Sequence, residues 1–391
     1  MPHDVIVVGA GPAGSTAARL LARQGASVLL LERARFPRDK PCGGGVTIRA
    51  ASLTDVDLSP VIERTIYGAR FSLRLGGHFD RWYPQPLTYM TQRRHLDAYL
   101  AELACEAGAD FHDGEPLRTV EVDGGVIVRT DRGSYNSSVL IAADGANGLA
   151  ARTAGLHPQF EEAVALEGNA HFSPEIPAAW RELVALDLGG LAGGYGWIFP
   201  KGDHLNVGVG AWKYAASTLR PKLADLCSRY HLDAVGLENL RGHYLPIRIA
   251  GSPAVRGPVL AIGDAAGLID PLSGEGIHMA FVSARLAVMT VLRHLAGEFA
   301  DLSPYQMVLD RRIQPELSAS RRLQELFHFA PPPYLAMMRV SQRFWLLFCQ
   351  LIRGETTYQG FLHQASALGF LANIFASWAQ RRKLSRLAVI R

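Results

Sequence analysis

The start of the chain alternates between apolar runs and a helical pattern. Asp4 to Val8 is a short β-branched run, and the segment after it carries apolar side chains at helical spacing up to Gly25, a residue type that ends helices. Ser27 to Leu31 is a second apolar run, and Glu32 follows it directly. A strand, a helix and a strand in this order predict the βαβ unit that opens a doubly wound parallel sheet.

The pattern then changes. Alternation of apolar and polar residues from Tyr67 to Tyr83, and again, with many glycines, from Ala163 to Trp212, predicts antiparallel strands of a separate sheet. Val259 to Asp264 is another apolar run, and a helical pattern follows from about Gly276 to Leu295. The segment from Ser303 to Arg391 is mostly helical in pattern.

These segments predict an α/β fold in which a Rossmann-like doubly wound domain is interrupted by an antiparallel β-sheet domain. With 391 residues, and about 150 residues per domain, two or three structural units are expected. The first domain is predicted to comprise residues 1–65, 90–155 and 256–295. The inserted sheet domain takes residues 66–89 and 156–255, and a C-terminal helical region takes residues 296–391.

Composition narrows the class of protein. Hydrophobic residues make up 48% of the chain and charged residues 19%, which excludes a disordered chain. The net charge of +4 is spread along the sequence rather than clustered, so nucleic acid is not an expected partner. The four cysteines lie far apart without metal-ligand spacing, and no metal site is expected. A signal-peptide pattern is missing at the start, which predicts a cytoplasmic protein.

A glycine-rich turn follows the first predicted strand. Gly9 permits a tight turn, Gly11 lets the backbone approach a diphosphate, and Gly14 allows the helix to pack closely on the strand. The start of the helix then directs free amides toward the phosphates. Glu32, at the end of the next strand, is placed to accept from ribose hydroxyls. The combination predicts a dinucleotide site.

A second glycine-rich segment favours FAD over NAD as the dinucleotide. Asp264 ends a strand where its carboxylate could hold a polyol chain, and NAD has no ribityl chain. The amides from Gly274 to Ile277, including that of Gly276, open a helix whose positive end could stabilise negative charge on a reduced flavin. The alternative for Asp264 is a helix N-cap.

With these motifs, the sequence VLIAADGANGLAAR from Val139 to Arg152 resembles the FAD superfamily of aromatic hydroxylases. Three further strings are similar to the geranylgeranyl reductase family: KPCGGGVTIRA from Lys40, GYGWIFPKGDHLNVGVG from Gly194, and PLSGEGI from Pro271. The similarity covers roughly residues 1–295. The hydroxylase pattern has Ser and Arg where this chain has Gly148 and Ala151, which weakens a hydroxylase interpretation.

The resemblance implies a set of FAD contacts along the chain. They are Ala13, Glu32, Arg33, Gly43, Gly44, Gly45, Arg93, Asp264, Gly276 and Ile277. Asp144 of the Asp-Gly motif is included with them as a cofactor-binding residue. Because Arg94 adjoins Arg93, the register at this position is open by one residue.

Three aromatic side chains, Tyr195, Trp197 and Phe199, alternate along one predicted strand and therefore share a face. The return strand carries glycines at alternate positions, among them Gly208, so its facing surface is nearly bare. Aromatic residues beside such space suit a long apolar guest, although ordinary sheet core with glycine bulges is the alternative. The expected substrate contacts are Tyr195, Trp197, Phe199, Pro200 and Gly208.

The resemblance implies reduction of C=C bonds in a prenyl chain by hydride transfer from reduced flavin and protonation. Tyr195 and Trp197 are the expected catalytic residues, because aromatic faces stabilise cationic character on a desolvated alkene. Cys42, between Pro41 and three glycines, is assigned to the flavin's redox neighbourhood or to protonation; a small buried filler is its alternative. The rival functions are a flavin-dependent monooxygenase or halogenase and a flavin-free prenyl carrier.

The expected partners are an isoprenoid lipid and an electron donor. Because the chain has no second GxGxxG motif, the donor is NADPH in brief contact or reduced ferredoxin. Phe344 to Ile352 and Leu368 to Trp378 are bulky apolar segments before a basic end. They either pack in a core or lie on an anionic membrane, which would place the protein peripherally at the inner face.

Overall fold

The structure is a computed structural model that describes residues 2–173 and 175–366. The strands are β1 (His3–Val8), β2 (Val28–Leu31), β3 (Gly45–Thr47), β4 (Arg64–Ile66), β5 (Gly68–Leu73), β6 (His78–Trp82), β7 (Thr88–Met90), β8 (Asp110–His112), β9 (Leu117–Val122), β10 (Val126–Thr130), β11 (Ser134–Ala142), β12 (Phe160–His171), β13 (Leu183–Leu191), β14 (Gly194–Pro200), β15 (His204–Trp212), β16 (Glu238–Arg248), β17 (Val255–Arg256) and β18 (Val259–Ala261).

The α-helices are α1 (Pro12–Arg23), α2 (Ile48–Ala51), α3 (Arg93–Glu106), α4 (Ala150–Thr153), α5 (Leu219–Arg229), α6 (Ile277–Leu295), α7 (Ser303–Val308), α8 (Gln314–Phe329), α9 (Pro331–Val340), α10 (Gln342–Arg353) and α11 (Tyr358–Ser366). Short 3₁₀ turns occupy Ser59–Val61, Ala178–Trp180, Lys213–Thr218 and Gly263–Ala266. A π-helical segment, Leu309–Ile313, joins α7 to α8.

The first sheet has the order β17-β18-β11-β1-β2-β8; the strands from β18 to β8 are parallel, and β17 pairs antiparallel at the edge. Its central strands are runs of fully buried Val, Ile and Leu, as expected where helices or strands cover both faces. Helices α1 and α6 pack side by side, and the β9–β10 hairpin contributes to the same core. The predicted doubly wound α/β domain is confirmed.

The second sheet has the order β16-β12-β15-β14-β13-β5-β6 and is antiparallel apart from the β5–β13 pairing. The antiparallel strands predicted from Tyr67 to Tyr83 are β5 and β6, joined in register with Phe71 opposite Phe79. The parallel pairing joins segments that are more than a hundred residues apart in sequence, for example Phe71 and Leu186. Alternation alone could not predict this pairing, because it shows that strands form and not which strands meet.

One face of the second sheet changes from charged to apolar across its width. Partners in directly opposed positions project to the same face, so the register defines a row of side chains across the strands. The central row runs from β16 to β5 through Arg241, Glu167, Gly208, Trp197, Leu186 and Phe71. In this row the charged residues lie on β16 and β12, and Trp197 stands between them and the apolar residues of β13 and β5, which form the apolar half of the face.

The helices at the end of the described chain cover the apolar half of this face. Phe71 of β5 lies 6.2 Å, between ring centroids, from Trp345 and 6.5 Å from Phe348, both on α10. Phe327 of α8 lies 6.4 Å from Phe348. Because these rings share one buried cluster, the helical region is packed onto the second sheet.

The Phe344–Ile352 segment lies in α10. Its residues Phe344, Trp345, Leu347, Cys349 and Leu351 are buried, so for this segment core packing is the correct alternative. The Leu368–Trp378 segment and the basic residues after it lie outside the described residues. Among the helices of residues 2–366, none combines the length and the apolar character that a membrane span requires.

Candidate active site

A cavity of about 840 Å³ lies between the two large sheets. At one end it is lined by the glycine turn after β1, and at the other end by the C-terminal helices. The glycine loop Cys42–Gly45, the strand β14 and the start of α6 line the middle. The cavity therefore joins the predicted dinucleotide site to an apolar chamber without a wall between them.

The glycine turn has the geometry that its sequence predicts. Gly9 has φ +102°, in the left-handed region that favours glycine. A side chain on Gly14 would place its Cβ 1.8 Å from the Gly9 carbonyl oxygen, so only glycine allows α1 to pack this closely. Gly11 precedes α1 without a side-chain cap, which leaves the first amides of the helix free for phosphate oxygens.

Positively charged side chains surround this end. Arg33, Arg38 and Arg93 line the cavity. Arg93 is buried and held by Asp97 through two hydrogen bonds of 2.7 Å, whereas Arg94 is exposed. The structure therefore places Arg93 and not its neighbour in the cavity wall.

Glu32 organises the turn as well as lining the cavity. Its carboxylate accepts hydrogen bonds of 3.0 Å from the amides of Ala10 and Ala34, and it pairs with Arg38 at 3.3 Å. Sequence reasoning assigned this residue to ribose recognition alone. The structure shows that it also fixes the two loops that follow β1 and β2.

Asp264 lies in the 3₁₀ turn after β18, and α6 begins after Gly276, so the N-cap alternative for α6 is wrong. The Lys40 ammonium group lies 3.0 Å from Asp264. Burial alone would raise the pKa of Asp264, but the Lys40 charge lowers it below its ordinary value. A Cβ on Gly276 would come within 2.9 Å of the same carboxylate, so glycine is needed there for close approach.

Asp144 carries an unused acceptor in the cavity wall. Its Oδ2 accepts from the amides of Leu149 (2.6 Å) and Ala150 (2.8 Å). Within the described residues, Oδ1 is buried and has no partner, and burial raises the pKa of this carboxyl group. A buried acceptor without a partner fits a ligand that brings its own donors, as the hydroxyl groups of FAD would.

These observations together fit FAD. The glycine turn and the arginines suit a diphosphate, Asp264 and Asp144 offer acceptors, and the loop from Gly274 to Ile277 lines the cavity at the start of the 19-residue helix α6. Gly274 has φ +70°, a conformation that glycine adopts without strain.

An ionic cluster that sequence reasoning missed holds this loop in place. Arg49 pairs with Glu275 at 2.8 Å and with Asp270 at 3.3 Å, and all three side chains are largely buried. The Arg49 guanidinium group also lies 5.2 Å from the ring of Tyr358 on α11. The cluster thereby connects the loop before α6 to the C-terminal helices. No spacing rule would have found it, because its members lie in distant segments.

The glycine loop Cys42–Gly45 lies flat against the second sheet. A Cβ on Gly43 would meet the Phe199 ring at 2.8 Å, and one on Gly44 would meet the Thr91 carbonyl oxygen at 2.0 Å. The Cys42 amide donates to Glu167 at 2.6 Å, and the Lys201 ammonium group donates to the Gly43 carbonyl at 2.5 Å. Two ionisable groups of the sheet domain therefore hold this loop.

Sequence reasoning missed both of these groups. Lys201 is only 2% exposed, and burial lowers its pKa from 10.5 to about 8, despite opposing contributions from Cys42, Glu63 and Glu167. A signal was available for Lys201, since it directly follows Pro200 in a chain with few lysines. Glu167 has no comparable signal, because it stands in an otherwise ordinary alternating strand.

Tyr195, Trp197 and Phe199 line the cavity on one face of β14, as predicted. The Trp197 Nε1 donates to Asn206 at 2.8 Å, and the Tyr195 hydroxyl donates to the Ser273 carbonyl in the loop before α6. The Tyr195 ring lies 5.7 Å from that of His328 on α8. Burial raises the pKa of the Tyr195 hydroxyl.

Two expected substrate contacts are not in the cavity wall. Pro200 is buried but does not line the cavity. The predicted open space beside Gly208 is wrong, since the Trp197 indole fills it: a Cβ on Gly208 would lie 2.1 Å from the indole ring. The glycine therefore makes room for the tryptophan, and the free space lies on the other side of the ring.

The apolar chamber is the part of the cavity that sequence reasoning placed least well. Its walls come from the end of β4, from β5 and β13 of the second sheet, and from α8, α9 and α10. The lining residues are Ile66, Ala69, Phe71, Val184, Leu186, Leu188, Phe327, Leu335, Met338, Trp345, Phe348, Cys349 and Ile352. The C-terminal helices, interpreted from sequence as core or membrane contact, form one side of this chamber.

Comparison with known proteins agrees with this geometry. A family model described as an FAD binding domain matches residues 2–188. The chain is 33% identical to menaquinone reductase of Mycolicibacterium smegmatis, over 82% of this chain and 83% of that protein. It is 30% identical to the chloroplastic geranylgeranyl diphosphate reductase of Oryza sativa subsp. japonica, over 83% of this chain and 75% of that protein. The chain belongs to the geranylgeranyl reductase family.

A solved structure supports the assignment. A geranylgeranyl bacteriochlorophyll reductase-like protein from Thermoplasma acidophilum superposes with a TM-score of 0.74 at 25% identity, covering 83% of this chain and 87% of that one. This geranylgeranyl reductase family member is accordingly an FAD-dependent oxidoreductase.

The sequence predicts no metal site, but among the described residues a group of three side chains has atoms that could ligate a metal ion. His171, Asp203 and His204 place one ligand atom each within 4.8 Å of one another, at the outer end of β12 and β15. None of the three lines the cavity, so the group is separate from the site described here.

The contact between Gly208 and Trp197 predicts different outcomes for two similar substitutions. Gly208→Ala is expected to lower the free energy of unfolding by about 1–3 kcal/mol, because its Cβ overlaps the indole. Gly210→Ala on the same face is the control, since its Cβ would lie 3.7 Å from the same ring. Urea denaturation measures both. In a Trp197→Ala background the cost of Gly208→Ala should disappear, and an unchanged cost would contradict the assignment.

Lys201 predicts a rise in stability with pH. The unfolded lysine keeps its proton up to about pH 10.5, but the folded one loses it near pH 8, so unfolding takes up a proton between these values. The free energy of unfolding should therefore increase by about 3 kcal/mol across this window. Lys201→Met should flatten the rise, whereas the exposed control Lys213→Met should keep it. Equal slopes for wild type and Lys201→Met, measured by urea denaturation, would refute this reading.

Proposed function

We propose that this protein saturates C=C bonds of a prenyl chain, using hydride from reduced FAD and a proton from the protein. The observation that carries the proposal is the continuity of the cavity. Its FAD-binding end opens directly into an apolar chamber of the same cavity, and Tyr195 and Trp197 stand at the junction. A prenyl chain in the chamber would place an alkene at this junction.

The wall of the chamber suits a hydrocarbon and excludes water. Its side chains are aliphatic or aromatic, and the rings of Trp345, Phe348 and Phe327 pack against one another on the helical side. Removing a prenyl chain from water stabilises binding by about 25 cal/mol per Å² of buried apolar surface. A dry chamber also strengthens the electrostatic interactions of every charged group at its edge.

Bound FAD, once reduced, supplies a hydride. The residues at the junction make an isolated alkene able to accept it. The Tyr195 and Trp197 rings, 6.0 Å apart between centroids, present aromatic faces that stabilise developing positive charge on carbon. The hydrogen bonds from Tyr195 to Ser273 and from Trp197 to Asn206 fix the two rings in place. Cys42 belongs to the same junction, in the glycine loop.

The substrate class follows from the chamber and from the relatives. Menaquinone and geranylgeranyl diphosphate, which name two relatives, have different head groups but both carry an isoprenoid chain. We infer that the chamber holds this shared chain. The electron donor is proposed to be NADPH or reduced ferredoxin in brief contact, because the sequence has no second dinucleotide motif.

The location of the protein is part of the same proposal. A cytoplasmic protein that takes a lipid substrate would meet it at the inner face of an anionic membrane. The α10 segment does not supply the contact surface, because its apolar residues are mostly buried in the chamber wall.

The proposal is tested by anaerobic reoxidation of the reduced protein. Purified protein should bind FAD, lose its yellow colour on reduction with dithionite, and regain it when offered a geranylgeranyl lipid. Mass spectrometry of that lipid should show a gain of two daltons for each reduced bond. A squalane control, which has no double bond, should leave the flavin reduced. A protein that stays reduced with prenyl diphosphates, prenyl quinones and prenyl ether lipids would exclude the function.

The chamber predicts a selective effect on α10. Phe348→Ala removes a ring from the chamber wall and should raise the KM for a twenty-carbon prenyl substrate about tenfold, while the FAD dissociation constant stays unchanged. Leu346→Ala is the matched control, because Leu346 on the same helix is 39% exposed and does not line the cavity. Equal KM values for the two variants, or weaker FAD binding in Phe348→Ala alone, would contradict the proposed position of the chain.

A further inference from the structure

The alkene also needs a proton, and the walls of the cavity restrict its source. Besides Glu167, seven carboxyl groups of the described residues line the cavity. Six of them have a basic side chain within 4.0 Å; they are Glu32, Asp39, Glu115, Asp264, Asp270 and Glu275. The seventh, Asp144, accepts from two amides beside the glycine turn, at the nucleotide end.

Glu167 differs from the six paired carboxyl groups in its partner, and from Asp144 in lying at the junction and not at the nucleotide end. It is 8% exposed, and its carboxyl group accepts from the Cys42 amide instead of pairing with a basic side chain. It stands on β12 directly opposite Gly208, which in turn stands opposite Trp197. Because Gly208 has no side chain, the Trp197 indole extends over it. Glu167 and Trp197 therefore stand on either side of Gly208 in one row, and both line the cavity.

We propose that Glu167 is the acid that protonates the prenyl alkene. This inference rests on the proposed function. The carboxyl O–H bond breaks as a C–H bond forms at one alkene carbon, and the hydride of reduced FAD forms the second C–H bond at the other. The alkene gains two electrons and the flavin loses them. Glu167 is left as a carboxylate and regains its proton from water when the product leaves.

The surroundings of Glu167 support both protonation states in turn. Burial raises its pKa, which favours the protonated acid before the reaction. The Cys42 amide, the Lys201 and Arg93 charges and the Asn206 side chain act in the opposite direction and stabilise the carboxylate afterwards. A general acid of this kind typically contributes about 10²–10⁴-fold in rate.

Other groups at the junction are less suited to donate. The Tyr195 hydroxyl already donates to Ser273, and its pKa is raised by burial. His328 is buried, and its pKa is lowered to about 4, so it is neutral at physiological pH. Lys201 donates to the glycine loop and does not line the cavity. Cys42 is the remaining competitor, and its own substitution is part of the test.

The decisive variants are Glu167→Gln and Glu167→Leu. Glutamine keeps an oxygen that can accept from the Cys42 amide, so it holds the glycine loop but carries no acidic proton; leucine removes both functions. In single-turnover reoxidation by a prenyl alkene, Glu167→Gln should react at least 100-fold more slowly than wild type, with an unchanged FAD dissociation constant. Full activity in Glu167→Gln with a loss in Glu167→Leu would show a positioning role and overturn the proposal.

A control, a competing variant and a pH profile complete the experiment. Glu162→Gln, an exposed position on the same strand, is the control and should react like wild type. Cys42→Ser is the competing variant: it should slow the reaction less than Glu167→Gln does, and the reverse order would assign the proton to Cys42. The wild-type reoxidation rate should fall as the pH rises through the pKa of Glu167. The rate of Glu167→Gln should not show this fall, which is the alkaline limb of the profile. Cys42, Arg93, Lys201 and Arg241 face Glu167 from the neighbouring segments and are unchanged in that comparison. A limb that persists in Glu167→Gln would contradict the assignment.

An infrared measurement without substrate separates this inference from the proposed function. The spectrum of the FAD-loaded wild type at pH 7 should contain a protonated-carboxyl band that Glu167→Gln lacks. A missing band in the wild type would overturn the proposal whatever the substrate is. A band with no reoxidation of wild type by any prenyl alkene would instead reject the proposed function, and with it the role of Glu167.

Discussion

The site depends on one constraint: a single face of the second sheet must serve a charged cofactor at one edge and a hydrocarbon at the other. Cross-strand register makes this possible, because opposed residues share a face and each row can change character strand by strand. The row from Arg241 through Glu167 and Trp197 to Phe71 does so. Gly208 is the essential member, since any larger residue would displace the indole that marks the border.

Electrostatics at the junction follow from this arrangement. At the cofactor end, the largely buried carboxylates of Asp97 and Asp264 are matched by arginine or lysine, which offsets the cost of burying their charge. Asp144 is the exception, since two backbone amides hold it instead. At the junction, Glu167 and Lys201 are instead held by the backbone of the glycine loop, through the Cys42 amide and the Gly43 carbonyl. Unpaired ionisable groups are costly to bury, and they are typical of sites where protons move.

The C-terminal helices complete the chamber from outside. Their aromatic residues close it, and the Arg49 cluster joins α11 to the loop at the start of α6. The wall of the apolar chamber and the loop before α6 are thus joined by direct side-chain contacts. Movement of these helices would alter both the space for the chain and the position of the loop.

The sequence by itself determined the local features. The βαβ opening, the glycine turn, the aromatic face of β14 and the second glycine-rich loop each depend on residues close in sequence, whose periodicity and backbone freedom are visible there. Tertiary structure alone decided which distant residues meet. Glu167, Lys201 and the Arg49 cluster act through contacts with segments far away in the chain, and the space beside Gly208 was assigned wrongly because its occupant lies on another strand. These groups become buried only once the two sheets face each other, and the pKa shifts of Glu167 and Lys201 follow from that burial.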